Sequence, residues 1–134
     1  RAVSVVIPTY GRPERLAQCL QSMCALRGAS FEVVVVDDGS PDPAEHVTRG
    51  FADRLRLTTL RKANAGPATA RNRGAAAAKG AIIAFTDDDC LVDPEWLETL
   101  TARVHDDPSA LVGGATINML TDNIFSEASQ DLVT

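Results

Sequence analysis

The sequence has no excess of basic residues: 13 Lys and Arg stand against 18 Asp and Glu, a formal net charge of -5. Phosphate backbones are bound by clustered Lys and Arg, so this balance excludes nucleic acid as the main partner. It leaves a nucleotide open, because one bound cation can reverse the local field. Cysteine is scarce and odd in number. Cys19, Cys24 and Cys90 are spaced for neither a disulfide framework nor a zinc site, and read as buried reduced thiols of a cytoplasmic protein. The two histidines, His46 and His105, have no partner at metal-binding or catalytic spacing. No apolar run approaches the roughly 20 residues of a membrane helix; the alanine-rich stretch from Gly74 to Phe85 is broken by Lys79 and Gly80. No signal peptide precedes the first strand-like run, so the expected location is cytoplasmic, any peripheral membrane attachment being supplied by residues outside this sequence. Internal repeats and low-complexity linkers are also lacking, so the 134 residues are read as a single domain.

What is present is an ordinary globular composition, 45% apolar and 23% charged, sufficient for one core without staples. Val3 to Ile7 is a β-branched run that ends at Pro8, and Phe31 to Val36 contains four consecutive valines. Such continuous apolar runs belong to strands covered on both faces, as in a parallel sheet. A weaker third strand is expected over Leu55 to Leu60, and a fourth over Ala81 to Phe85. Between them, helices are expected from Pro13 (with Leu16, Cys19, Leu20 and Met23 as its core face), from Asp42–Pro43 to about Gly50, and from Pro67 to about Lys79, stopped by Gly80. Asp93–Pro94 starts a further helix with Trp96, Leu97 and Leu100, Trp96 being read as core. A fifth strand with a glycine bulge is expected over Ala110 to Ile117, then a helix from Asp122. The alternation predicts an α/β, Rossmann-like fold with a mostly parallel sheet flanked by helices.

In such sheets ligands bind beyond the carboxyl ends of the strands. Three polar turns fall there: Thr9–Tyr10, Asp37–Asp38, and Asp87 to Asp89. Successive carboxylates raise each other's pKa or recruit a cation, and hard oxygen ligands suit Mg²⁺ or Mn²⁺. If the segment is extended, Asp87 and Asp89 face one ligand together while Asp88 points elsewhere. An isolated triplet of this kind is often only a solvated acidic turn. Its place after Ala81–Ile82–Ile83–Ala84–Phe85, opposite a second aspartate pair, favours a site.

Val5–Val6–Ile7–Pro8–Thr9–Tyr10, Val36–Asp37–Asp38–Gly39–Ser40, Asn64–Ala65–Gly66 leading to Ala70–Arg71–Asn72–Arg73–Gly74, and Phe85–Thr86–Asp87–Asp88–Asp89 stand in this order over residues 3 to 97. Together they resemble family 2 glycosyltransferases, the last segment resembling that family's Asp-x-Asp motif. The resemblance implies a GT-A fold, a nucleotide-diphosphate sugar donor, a divalent cation (Mg²⁺ or Mn²⁺) and inversion at the anomeric carbon.

It further implies that Pro8, Thr9 and Tyr10 lie against the nucleotide, with Tyr10 near the base, and that Asp38 accepts a hydrogen bond from the base N–H, which favours a uridine diphosphate donor. Asp37 shapes the turn. Arg71 either binds the diphosphate or pairs with an aspartate of the cluster. Asp87 and Asp88 complete the donor side, with Asp89 and Asp87 as metal ligands. Gly74 is read as a packing residue and Gly113–Gly114 as scaffold.

The acceptor (saccharide, lipid or protein) and the catalytic base are not identifiable; between Gly114 and Thr134 only Asp122 and Glu127 are candidates. The sequence thus reads as the donor-binding part of the family's fold, ending before an acceptor-binding half. Two alternatives remain at this point: a nucleotide-sugar-binding module without catalysis, and a receiver-type phosphoacceptor domain. The latter also gathers acidic residues at strand ends around Mg²⁺ but needs a lysine at a later strand end that is not found here.

Overall fold

Four parallel strands build the centre of the molecule, which a computed structural model describes over residues 2–27, 30–106 and 116–118. β1 (Val3–Thr9) is buried along its whole length, and β2 (Phe31–Asp37) is buried from Val33 onward. β3 (Leu57–Arg61) and β4 (Ile82–Phe85) flank them, in the order β3-β2-β1-β4. Each fully buried valine contributes about 1.5–3 kcal/mol, which is why the valine runs occupy the central positions. Register follows directly: Val5 pairs with Val33 on one side and Ala84 on the other.

The side-chain alternation of β1 and β2 sorts the core into two layers. Val3, Val5, Ile7, Val33 and Val35 pack with Leu16, Cys19, Leu20 and Met23 of α1 (Pro13–Met23) and with Trp96, Leu97 and Leu100 of α4 (Trp96–Asp106). Val6, Val34 and Val36 face the opposite way, onto Ala70 of α3 (Pro67–Ala77). α3 presents only small residues to the sheet and sits very close to it. A Cβ on Gly74 would run into Val6 and come within 3.0 Å of Val36, so glycine here serves close packing, as the sequence suggested. α2 (Glu45–Thr48) and the 3-10 turn Arg49–Phe51 lie between β2 and β3.

Several boundaries differ from those expected. α2 starts only at Glu45, and β3 begins two residues late because Leu55 closes the preceding turn through its bond to the Phe51 carbonyl. α3 stops at Ala77, not near Lys79. Ala78 turns extended, which lets the Lys79 N–H reach Glu32 and the Gly80 N–H reach the Ser4 hydroxyl. One strand was missed altogether: β5 (Cys90–Val92) pairs antiparallel with β6 (Thr116–Asn118). β6 overlaps the end of the expected fifth strand. Residues 110–115, including Gly113–Gly114, and the helix expected from Asp122, with Asp122 and Glu127, lie outside the described residues.

Strand order reverses at β1: the chain moves outward to β2 and β3, then crosses back to β4 on the other side. In open α/β sheets ligands bind at such a reversal of strand order, here between the carboxyl ends of β1 and β4.

Candidate functional site

A cavity of about 420 Å³ opens at that reversal, lined by Pro8, Thr9, Tyr10, Arg12, Asp38, Pro67, Arg71, Asp87, Asp88 and Asp89. The three polar turns do share one sheet edge. Tyr10, following β1, is half exposed at 49%, so its ring is a free flat surface and not part of the core.

The aspartates after β4 do not continue the strand. Residues 88–89 form a turn in which the Cys90 N–H donates to the Asp87 carbonyl at 3.2 Å. An extended segment would set Asp88 apart from Asp87 and Asp89 by alternation; the turn separates the three side chains in a similar way by a different route. Asp88 points inward and is buried, accepting a hydrogen bond from the Thr9 hydroxyl at 2.8 Å and one from Arg12 Nη1 at 3.3 Å. Burial pushes its pKa up; the Thr9 and Arg12 contacts oppose that, and the neighbouring Asp89 and Asp87 add to it. Asp87 and Asp89 are more exposed, at 45% and 17% of their side chains.

Arg71 Nη2 lies 3.7 Å from Asp87 Oδ1, and Arg12 Nη1 lies 3.7 Å from Asp89 Oδ2. Of the two roles open to Arg71, pairing with the cluster is the one seen. A carboxylate oxygen from each of Asp87 and Asp89 lies within 4.8 Å of the other and of the Cys90 sulfur. At that spacing the two carboxylates would hold one cation between them. Burial, with Asp87 and Asp89 alongside, pushes the Cys90 thiol up to about 12, and its soft sulfur is a poor match for a cation that two carboxylates would hold. The donor set is therefore hard oxygen, the preference of Mg²⁺ and Mn²⁺ over softer ions.

The second aspartate pair divides its work. Asp37 is buried and accepts from the backbone N–H groups of Ser40 and Ala44 and from Arg61 at 2.8 Å. Burial alone would raise its pKa, but these donors hold it below the usual carboxylate range. It shapes the turn. Asp38 lines the cavity, yet each of its carboxylate oxygens already accepts two protein donors. Oδ1 receives Lys62 Nζ at 2.8 Å and the Ala65 N–H at 2.9 Å; Oδ2 receives the Gly66 N–H at 2.9 Å and Asn64 Nδ2 at 3.3 Å. Its pKa is likewise held low, these donors outweighing the cost of burial. Asp38 thereby fastens the end of β2 to the loop that starts α3. Gly66, at φ +101°, supplies the left-handed bend that only glycine adopts without strain, and this aims its N–H at Asp38.

Sequence reasoning overlooked Arg12, Pro67 and Lys62. Arg12 had a readable signal, a cation two residues beyond Tyr10 at the very start of α1. Lys62 had none, because its role depends on β3 lying beside β2. Trp96 is core, as expected, being 1% exposed. His46 makes an exposed pair with Asp42 at 2.6 Å, remote from the cavity lining; the side chain of His105 lies outside the described residues. Cys19 and Cys90 are buried free thiols and Cys24 is partly buried.

The family model "Glycosyl transferase family 2" matches residues 4–129. Glycosyltransferase AglE of Haloferax volcanii is 35% identical over 117 residues, covering 84% of this chain and 38% of that protein. Among solved structures, Staphylococcus aureus TarS 1–349 in complex with UDP-GlcNAc superposes with a TM-score of 0.74 at 29% identity, over 79% of this chain and 32% of that one. The mannosyltransferase PcManGT from Pyrobaculum calidifontis, in complex with GDP-Man and Mn²⁺, gives 0.73 at 29% identity, over 83% and 33%. The chain spans about a third of the length of these relatives. Its parallel sheet and flanking helices are those of the GT-A glycosyltransferases, and by sequence the chain belongs to glycosyl transferase family 2.

Proposed function

We propose that this chain holds the donor of an inverting, metal-dependent glycosyltransferase that uses a uridine-diphosphate sugar. One observation carries the reading: two partly exposed carboxylates, two guanidiniums and an open tyrosine ring converge on one cavity at the strand-order reversal. A nucleoside diphosphate presents complementary parts, namely a flat base, a ribose and a charged pyrophosphate.

Tyr10 offers its ring to the base. Asp38 accepts the base N–H by giving up its longest bond, the 3.3 Å contact from Asn64. Asp89 and Asp87 would hold the divalent cation, which supplies Lewis-acid stabilisation to the departing diphosphate. Arg71, already beside Asp87, adds positive charge where the leaving group gathers negative charge. Asp88 holds the turn in place from beneath through Thr9. A carboxylate that deprotonates the acceptor hydroxyl is needed for inversion, and none of the cavity residues above is free for that role. The acceptor class, whether saccharide, lipid or protein, is set by parts of the protein beyond this cavity.

The relatives support the donor class: TarS was solved with UDP-GlcNAc and PcManGT with GDP-Man and Mn²⁺. Calorimetric titration of UDP and GDP, each with and without Mn²⁺, tests the proposal. UDP should bind, and more tightly with metal; absence of any metal-dependent nucleotide binding would overturn it. Incubation of the natural full-length protein with UDP-sugars and a panel of acceptors then separates a transferase from a binder without turnover.

A further inference from the structure

Arg12 stands at the first position before α1, with no side-chain cap of its own, and its side chain is 52% exposed. It touches two carboxylates unequally. At 3.3 Å its Nη1 is within hydrogen-bond reach of Asp88 Oδ1; at 3.7 Å it only leans on Asp89 Oδ2. Asp88 cannot follow the guanidinium, being buried and fixed by Thr9 at 2.8 Å. Three carboxylates in succession carry a formal charge of -3, and the two arginines offset +2 of it, leaving -1. The guanidiniums therefore do part of what a divalent cation would do.

The two uses of Asp89 conflict. A divalent cation held by Asp87 and Asp89 would bring two positive charges close to Arg12, and like charges at such separations repel appreciably near a protein surface. A nucleoside diphosphate reverses the sign of that effect, because its phosphates attract both cations at once. Arg12 is exposed enough to swing, and it lines the same cavity.

We propose that Arg12 is an internal counter-cation for Asp89, displaced by the metal and handed to the donor's diphosphate, so that it couples metal binding to nucleotide binding. This rests on the donor-site reading above. In that role Arg12 opposes binding of the metal alone and favours binding of the metal with nucleotide. A side chain that merely props the aspartate turn would favour both.

The test uses the intact natural protein and its Arg12→Met and Arg12→Lys variants, with thermal melts to verify that each folds. Mn²⁺ alone is titrated by electron paramagnetic resonance, and UDP at saturating Mn²⁺ by calorimetry. Arg12→Met should bind Mn²⁺ alone about 3- to 10-fold more tightly and UDP with Mn²⁺ about 10-fold less tightly, the scale of one partly screened charge contact. Arg12→Lys should leave Mn²⁺ binding near that of the parent and fall between the two for UDP, keeping the charge but losing the planar fork. If Arg12→Met weakens both ligands, or shifts neither while the parent binds both, the coupling role is wrong. A parent protein that takes up UDP no better with Mn²⁺ than without it overturns the donor-site reading, and this inference with it.

Discussion

The Thr9 hydroxyl donates to Asp88 Oδ2 at 2.8 Å across 79 residues of chain, joining the carboxyl ends of β1 and β4. The bond is buried and one partner is a carboxylate whose pKa burial already raises. Thr9→Val keeps the shape and removes the donor. It should cost about 1–3 kcal/mol of stability, read as a shift in urea midpoint at constant slope. An unchanged midpoint would mean that water replaces the hydroxyl.

Asp89 and Asp88 should differ sharply when replaced. Asp89→Ala removes a partly exposed oxygen ligand and should abolish the metal-dependent part of nucleotide binding with little loss of stability. Asp88→Ala should weaken binding less and destabilise more, because Asp88 is buried and holds Thr9 and Arg12. Calorimetry paired with thermal melting separates the two effects. Equal losses of affinity would refute the division of roles.

Asp38 should govern part of the acid limb of the stability curve. Its native pKa lies below the unfolded value, so its contribution is complete above about pH 4 and is lost as the pH falls through the native value. Asp38→Asn should lose about 3 kcal/mol at pH 7 and show a shallower decline below pH 4. Urea denaturation between pH 2.5 and 7 measures both; parallel curves for the two proteins would assign the acid limb elsewhere.

Gly74 gives a prediction whose sign is diagnostic. In an exposed helix, Gly→Ala stabilises by about 1 kcal/mol. Here the new methyl would meet Val6 and Val36, and overpacking of that kind costs about 1–3 kcal/mol. Chemical denaturation of Gly74→Ala should therefore show a loss; a gain would mean that α3 can lift from the sheet without penalty.

The sheet was legible because its signals are local. The valines of β1 and β2 announce burial on both faces, and the polar turns that follow mark the strand ends. Asp87, Asp88 and Asp89 were found for the same reason, by position after an apolar strand. What escaped depended on contacts between distant segments. β5 is three residues long and carries no pattern, and its pairing with β6 spans more than twenty positions. Lys62 and Arg61 meet Asp38 and Asp37 only because β3 lies beside β2 in that register. The facing of the aspartates was inferred from strand geometry, whereas a turn closed by Cys90 produces it.

The Asp38 carboxylate has a practical consequence for anyone wishing to redesign donor choice. The residue proposed to address the incoming base is also the fastening for Ala65 and Gly66, and so for the helix that carries Arg71. Exchanging it would alter recognition and geometry together, and the two causes of lost binding would be indistinguishable. Asn64 shares that double duty: its amide donates to Asp38 Oδ2 at 3.3 Å and to the Asp38 carbonyl at 3.0 Å, so it ties the same turn to the same loop.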